Sequence, residues 1–131
     1  MKWRSKSKKK KYSLKRLFNS FGYAFNGILT VYKTEQNILF HTIIAIIVIG
    51  LGIYLKVSTV EFSILIILIG LVLGFEIINT SIKYTIDMLM PNVHPMAKMA
   101  KDASSGAVLV ISLIALFVGI IILLPKVLLL I

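Results

Sequence analysis

Three long apolar runs, separated by short polar stretches, occupy most of the chain. They cover residues 38–55, 62–86 and 103–124, and each is close to the roughly 20 residues that a helix needs to cross a bilayer. In residues 13–33, by contrast, apolar side chains recur at spacings of three and four among polar ones, which is typical of an amphipathic helix in the membrane interface. The pattern therefore predicts an all-α integral membrane protein with one surface helix followed by three transmembrane helices, in a single domain over residues 13–131.

The second apolar run contains a polar stripe. At about 100° per residue, four polar side chains fall on one narrow face of the predicted helix, and these are Glu76, Asn79, Lys83 and Asp87. A carboxylate or an amide inside a membrane is costly, so such groups usually face a protein interior, a partner or a water-filled site. The stripe is therefore a candidate functional site, and polar contact between packed helices is the alternative.

Composition agrees with a membrane domain and shows where the charge lies. Hydrophobic residues make up 58% of the 131 residues, the formal net charge is +10, and nine of the fifteen basic residues lie within residues 2–16. We expect the basic arm, residues 1–12, to contact anionic lipid. No base-reading module accompanies it, so we expect no nucleic-acid partner. The chain contains no cysteine, and its two histidines lack metal-ligand spacing.

The distribution of basic residues predicts the orientation of the helices. The positive-inside rule places the basic arm in the cytoplasm and the 56–61 turn outside. Glu35, the stripe and the adjacent Lys101 and Asp102 then come to the cytoplasmic side, and they include four of the five acidic residues. Only Glu61 lies on the other side. Because three spans bury little surface among themselves, we also expect the chain to oligomerise.

Carboxylates and lysines at a membrane–cytosol boundary suit the binding of Mg²⁺ and a polyphosphate. Mg²⁺ takes oxygen ligands and keeps several waters, so one or two carboxylates plus substrate phosphates suffice. A lysine can neutralise a transferring phosphoryl group, and a carboxylate can accept a proton from a lipid hydroxyl. The chain has no Walker or kinase glycine-rich loop, so helices would have to form the phosphate site. Intramembrane carboxylates also serve ion pathways, which leaves a small channel or transporter as a rival function.

Three blocks of the sequence resemble one family. E-I-I-N-T-S-I at 76–82 and A-K-M-A-K-D-A-S-S-G-A-V-L at 97–109 are similar to the prokaryotic diacylglycerol kinase family, and E-Q-N-I-L-F-H at 35–41 resembles its Gram-positive branch of mostly undecaprenol kinases. The resemblance covers about residues 14–120. It implies a homotrimer of chains with a surface helix and three transmembrane helices. The implied activity is ATP- and Mg²⁺-dependent phosphorylation of a membrane lipid alcohol, either undecaprenol or diacylglycerol.

The resemblance also implies roles for single residues. Glu76 matches the general base that deprotonates the lipid hydroxyl, Asn79 matches the asparagine beside it, and Glu35 matches a glutamate that binds metal and ATP. Lys83 and Asp87 would support the active site. The other expected ATP contacts are Arg16, Tyr23, Asn92, Val93, His94, Lys101 and Asp102.

Two positions depart from the family pattern. The family block normally reads E-x-x-N-T-A-I-E and ends in a metal-binding glutamate, but Lys83 stands there, and Leu39 stands where the Gram-positive branch usually has a basic residue. Lys83 either contacts ATP phosphates and leaves Glu35 to hold the metal, or pairs with Asp87 one turn on and weakens catalysis. The second case keeps an alternative function open, that of a catalytically weak or inactive lipid- or partner-binding membrane protein.

Overall fold

The computed structural model describes residues 12–131, which form helices joined by short connections. The helices are α1 (Leu14–Thr34), α2 (Gln36–Tyr54), α3 (Thr59–Leu89) and α4 (Pro95–Leu128). The last three are long and apolar enough to cross a membrane. The predicted fold class, with one amphipathic helix before three apolar ones, is confirmed. All of the basic arm except Tyr12 lies outside the described residues.

Side chains at three helix starts satisfy backbone N–H groups that have no partner within the helix. Ser13 accepts a hydrogen bond from the Arg16 N–H at 3.3 Å, as its position before α1 suggests. Ser58 and Glu61 cap each other reciprocally at the start of α3, at 3.1 and 2.8 Å. His94 Nδ1 accepts from the Met96 N–H at 3.1 Å and so opens α4.

Helices α3 and α4 are longer than the apolar runs within them. They have 31 and 34 residues, which corresponds to about 46 and 51 Å at about 1.5 Å per residue, against about 30 Å of hydrocarbon. Helix α4 begins at Pro95, eight residues before the expected span, so Lys98 and Lys101 lie on a helix and not in a loop. It also continues through Pro125, where the sequence suggested its end. Both helices therefore extend beyond the apolar layer and carry their polar residues with them.

Helix α3 is the centre of the bundle because the two most extensive helix contacts, with α4 and with α2, are both its own. Its main partner is α4, and α1 contacts α2 and α3 but not α4. The buried apolar side chains are few: Val31, Ile38, Ala45, Leu65, Val72, Val108 and Ile122. Most other large apolar side chains are exposed, as expected for helices that face lipid. The buried polar side chains are all on α3: Glu76, Asn79 and Thr80.

Candidate active site at the polar end of the bundle

Glu76 is the most unusual side chain of the described chain. It is 1% exposed, and neither carboxylate oxygen has a hydrogen-bond partner among residues 12–131. Its neighbour Thr80 is equally buried but satisfied, because its hydroxyl donates to the Glu76 backbone carbonyl at 3.0 Å. An unpaired buried carboxylate is costly. The position of Glu76 therefore indicates a site that receives a proton or a ligand.

Asn79, one turn from Glu76, is held by helix α4. The side chain is 3% exposed, and its Oδ1 accepts from the Ser104 hydroxyl at 2.6 Å and lies 3.4 Å from the Ser105 hydroxyl. The sequence pattern does not mark Ser104 and Ser105 as functional residues. Their small size and their place at the start of an apolar run suggest packing, and no spacing within one helix reveals a contact with another.

Ion pairs join the α1–α2 corner, helix α3 and helix α4 at the end of the bundle where α3 ends and α4 begins. Lys83 Nζ lies 3.4 Å from Glu35 Oε2, and Asp87 pairs with Lys101 on α4. The pairing of Lys83 with Asp87, one of the two alternatives that the sequence left open, is therefore wrong. The reason is that the corner between α1 and α2 brings Glu35 within reach of Lys83, while α4 supplies Asp87 with its own lysine.

Asp102 faces a lysine of its own helix. Its carboxylate pairs with Lys98 one turn earlier, and more than half of each side chain is exposed. An exposed pair of this kind contributes little to stability, typically below about 1 kcal/mol. Both groups therefore remain accessible to a ligand from the aqueous side.

The corner between α1 and α2 is held from α3 by two neighbouring residues. Lys83 contacts Glu35, and the Tyr84 hydroxyl donates to Thr34 Oγ1 at 2.7 Å. Glu35 has extended backbone angles, φ −115° and ψ 122°, and occupies the N-cap of α2 without making a side-chain capping bond. Its carboxylate is therefore directed towards α3 and away from its own helix.

Several predicted nucleotide contacts lie apart from the ion-pair cluster, which consists of Glu35, Lys83, Asp87 and Lys101. Arg16 and Tyr23 are exposed on α1, and no side-chain hydrogen bond or ion pair of the described residues links them to α3 or α4. Asn92, Val93 and His94 are exposed in the connection before α4. Their roles in ATP binding stay predictions.

The described residues suit a metal ion that arrives with a polyphosphate. Residues 12–131 contain no group of three or more histidine or acidic side chains that could hold a metal on its own. Glu35 offers a carboxylate at the corner, where Lys83 is the one described side chain that pairs with it. Mg²⁺ is commonly held by one or two carboxylates plus substrate phosphates. The donor set therefore fits Mg²⁺ bound together with ATP and does not fit a resident metal.

These features define a class of protein, an integral membrane protein with a polar site at one end of an apolar bundle. The family model for prokaryotic diacylglycerol kinase matches residues 22–123. The chain belongs to the prokaryotic diacylglycerol kinase family. The resemblance predicted from the three blocks and the predicted class of enzyme, a lipid kinase, are confirmed by this match.

Individual relatives extend the match to most of the chain. The chain is 40% identical over 120 residues to an undecaprenol kinase of Bacillus subtilis, covering 92% of this chain and 98% of the relative. It is 33% identical over 113 residues to a diacylglycerol kinase of Synechocystis, covering 86% and 65%. A diacylglycerol kinase of Escherichia coli is 25% identical over 100 residues, covering 76% and 82%.

Proposed function

We propose that the chain transfers the γ-phosphoryl group of ATP to the hydroxyl of undecaprenol, giving undecaprenyl phosphate, in the bacterial cell membrane. The similarity to an undecaprenol kinase over nearly the whole of both chains supports this lipid. Diacylglycerol is the second candidate, because other relatives carry that name. Both substrates are lipid alcohols that would reach the site sideways through the bilayer.

The buried, unpartnered carboxylate of Glu76 carries the proposal. A lipid hydroxyl beside it would give the carboxylate the hydrogen bond that residues 12–131 do not supply. Glu76 would accept the hydroxyl proton as the oxygen attacks the γ-phosphorus, and general base catalysis of this kind contributes about 10²–10⁴-fold in rate. The role of base therefore explains why an unpaired carboxylate is kept in the interior.

Asn79 would support this step from one turn away. Because its Oδ1 accepts from Ser104, the amide nitrogen is left to donate to the lipid oxygen or to Glu76. A fixed donor that needs no reorientation is more effective than a mobile one in a water-poor site. Asn79 would therefore orient the acceptor end of the reaction.

The ion-pair cluster would bind the nucleotide. Glu35 would hold Mg²⁺, and Lys83, Asp87, Lys101 and Asp102 would surround the phosphates. When bound with ATP, Mg²⁺ neutralises charge on the phosphoryl groups. Further ATP contacts would come from the surface helix and from the connection between α3 and α4, through Arg16, Tyr23, Asn92, Val93 and His94.

The assembly and setting belong to the same proposal. We expect a homotrimer, as the family resemblance implies. The N-terminus and the active site would face the cytoplasm, where ATP is available. The basic arm would contact anionic lipid there.

The decisive test is phosphate transfer from labelled ATP to undecaprenol and to diacylglycerol in mixed micelles containing Mg²⁺. We expect Glu76→Gln to lose at least about 100-fold in rate, since it removes the base, while its size in detergent stays native. Glu61→Gln is the matched control, because Glu61 pairs with Lys126 at the opposite end. Native turnover in Glu76→Gln would overturn the assignment of the base.

One observation favours the alternative of a weak or inactive homologue. Lys83 neutralises Glu35, the carboxylate that would hold Mg²⁺. If that pair disables the protein, native chain transfers no phosphate to either lipid, and Lys83→Glu restores transfer in the same assay. Turnover by the native chain that Lys83→Glu does not increase excludes this alternative.

A further inference from the structure

The ion pair between Lys83 and Glu35 is suited to being exchanged. The two charged atoms lie 3.4 Å apart, and the side chains are 26% and 20% exposed. A charge-assisted hydrogen bond between an ammonium group and a carboxylate is usually about 2.7–2.9 Å long, so the contact between Lys83 and Glu35 is a loose one. A ligand that offers either partner a stronger contact can therefore separate the pair.

Glu35 is poised to take another partner. It occupies the N-cap of α2, yet its carboxylate makes no capping hydrogen bond. Among residues 12–131, Lys83 is the cation within 4.0 Å of that carboxylate. If Lys83 leaves, Glu35 presents a carboxylate at the edge of the cluster without any rearrangement of the backbone.

The rest of the corner does not depend on this ion pair. The Tyr84 hydroxyl bonds Thr34 at 2.7 Å, so α3 keeps its link to the end of α1 when the neighbouring pair opens. A Lys83 ammonium can then move between partners while the helices stay in place.

The position of Lys83 on α3 decides which ligand it would meet. It follows Glu76 by seven residues on the same face, which is about 10 Å along the helix axis. Asp87, one turn further, is already paired with Lys101. Of the lysines in the cluster, Lys83 is thus the one that shares a helix face with the proposed base, and the phosphoryl group has to approach that base.

We propose that Lys83 is a phosphate-binding residue that exchanges partners when nucleotide binds. In the nucleotide-free chain its ammonium group neutralises Glu35. When ATP binds, the Lys83 side chain moves, and its ammonium group donates a charge-assisted hydrogen bond to a phosphate oxygen. The freed Glu35 carboxylate then becomes a ligand for the Mg²⁺ that accompanies ATP. The inference rests on the proposed function, because it presupposes that ATP is the phosphoryl donor.

Nucleotide binding tests the first half of the exchange. The full chain in lipid nanodiscs is titrated with the imido analogue of ATP, which is not hydrolysed, and separately with adenosine. We expect Lys83→Gln to bind the analogue about tenfold more weakly and adenosine unchanged, since only phosphates meet the lysine. Lys83→Arg retains most of the affinity. Lys126→Gln is the matched control, because Lys126 is 30% exposed and pairs with Glu61 at 3.2 Å.

Metal binding without nucleotide tests the second half of the exchange, the release of Glu35. Here Lys83→Gln is expected to raise the affinity and not to lower it. Electron paramagnetic resonance of Mn²⁺ should show tighter binding to Lys83→Gln than to the native chain, because Glu35 is no longer neutralised. Adding Glu35→Gln to that variant should remove the gain. If Lys83 had a merely structural role, replacing it would not weaken binding of the ATP analogue and at the same time strengthen binding of Mn²⁺.

The outcomes separate this inference from the proposed function. If Lys83→Gln binds the ATP analogue as tightly as native chain, the exchange is overturned, and the Glu76→Gln assay still decides whether the chain is a kinase. If native chain neither binds the analogue nor transfers phosphate, both fall together. Should Lys83→Gln unfold at a lower temperature than native chain, Lys83→Arg decides, and loss of analogue binding in that folded variant counts against the exchange.

Discussion

Among the five acidic residues of the chain, pairing separates one from the rest. Glu35, Glu61, Asp87 and Asp102 each lie opposite a lysine, whereas the Glu76 carboxylate has no hydrogen-bond partner among the described residues. A paired carboxylate can hold two segments together or exchange its lysine for a ligand. The unpaired one is the natural place for a proton to arrive.

Ser104 carries a prediction at the scale of the residue. Ser104→Ala removes the 2.6 Å bond to Asn79 Oδ1, so the amide is less firmly oriented. We expect a loss of about 1 kcal/mol of transition-state stabilisation, or roughly fivefold in kcat, with KM for ATP little changed. Steady-state kinetics with the lipid substrate measure it.

The control for Ser104 is another serine of the same region. The Ser81 hydroxyl is exposed and donates to the Ile77 carbonyl of its own helix at 3.1 Å, so Ser81→Ala should leave kcat near native. Equal kcat in both alanine variants would show that the contact with Asn79 does not matter for turnover.

The polar stripe could be predicted from the sequence, but its partners could not. A rotation of about 100° per residue places Glu76, Asn79 and Lys83 on one face whatever surrounds them. The contact between Lys83 and Glu35 spans 48 positions and depends on where the α1–α2 corner comes to rest. From the sequence alone, Asp87 was as good a partner for Lys83 as Glu35, and only the packing of the helices decides between the two carboxylates.

At the scale of the element, hydropathy marks the apolar layer and not the helix. The runs at 62–86 and 103–124 lie within helices of 31 and 34 residues. A helix that leaves the bilayer continues in water where its caps and side chains permit, as α4 does from Pro95. Lys98, Lys101 and Asp102, which precede the apolar run, therefore lie on a regular helix.

The α2–α3 hairpin offers a test of close packing. A Cβ on Gly52 would lie 3.3 Å from the Phe62 ring and 3.6 Å from Val57, whereas one on Gly50 would meet nothing within 4 Å. We expect Gly52→Val to destabilise the protein by about 1–3 kcal/mol through overpacking. Gly50→Val should stay within about 0.5 kcal/mol of native. Unfolding in detergent, followed by circular dichroism, compares them.

Two results would contradict this account of the hairpin. Equal unfolding midpoints for the two valine variants would show that the contact with Phe62 is not tight. A larger loss at Gly50 would show that this face packs against something outside the single chain.

At the scale of the whole molecule, both ends of the bundle are held by charge. Glu61 and Lys126 lie 3.2 Å apart where α3 begins and α4 ends, and the cluster around Lys83 holds the opposite end. The sequence was sufficient for the helix number and class because apolar length is a one-dimensional property. It was not sufficient for the assembly, since exposed apolar side chains look alike whether they meet lipid or a second copy.

Orientation in the membrane can be tested without background labelling because the chain contains no cysteine. We expect a membrane-impermeant maleimide to label Ser58→Cys in intact cells, and Val93→Cys only after the cells are permeabilised. Both positions are exposed in connections between helices. The reverse pattern would place the polar cluster outside the cell and remove its access to ATP.

The length of α3 has a consequence for which molecules can react. Glu76 is the eighteenth residue of that helix, so it lies about 26 Å along the axis from the start at Thr59, close to the thickness of the hydrocarbon layer. The length of the helix therefore fixes the depth at which the Glu76 carboxylate lies. On the proposed orientation and with Glu76 as the base, an alcohol whose hydroxyl lies at the level of the inner headgroups would meet the carboxylate, and one whose hydroxyl lies nearer the midplane would not. Membrane thickness thereby becomes a determinant of selectivity, alongside the shape of any pocket.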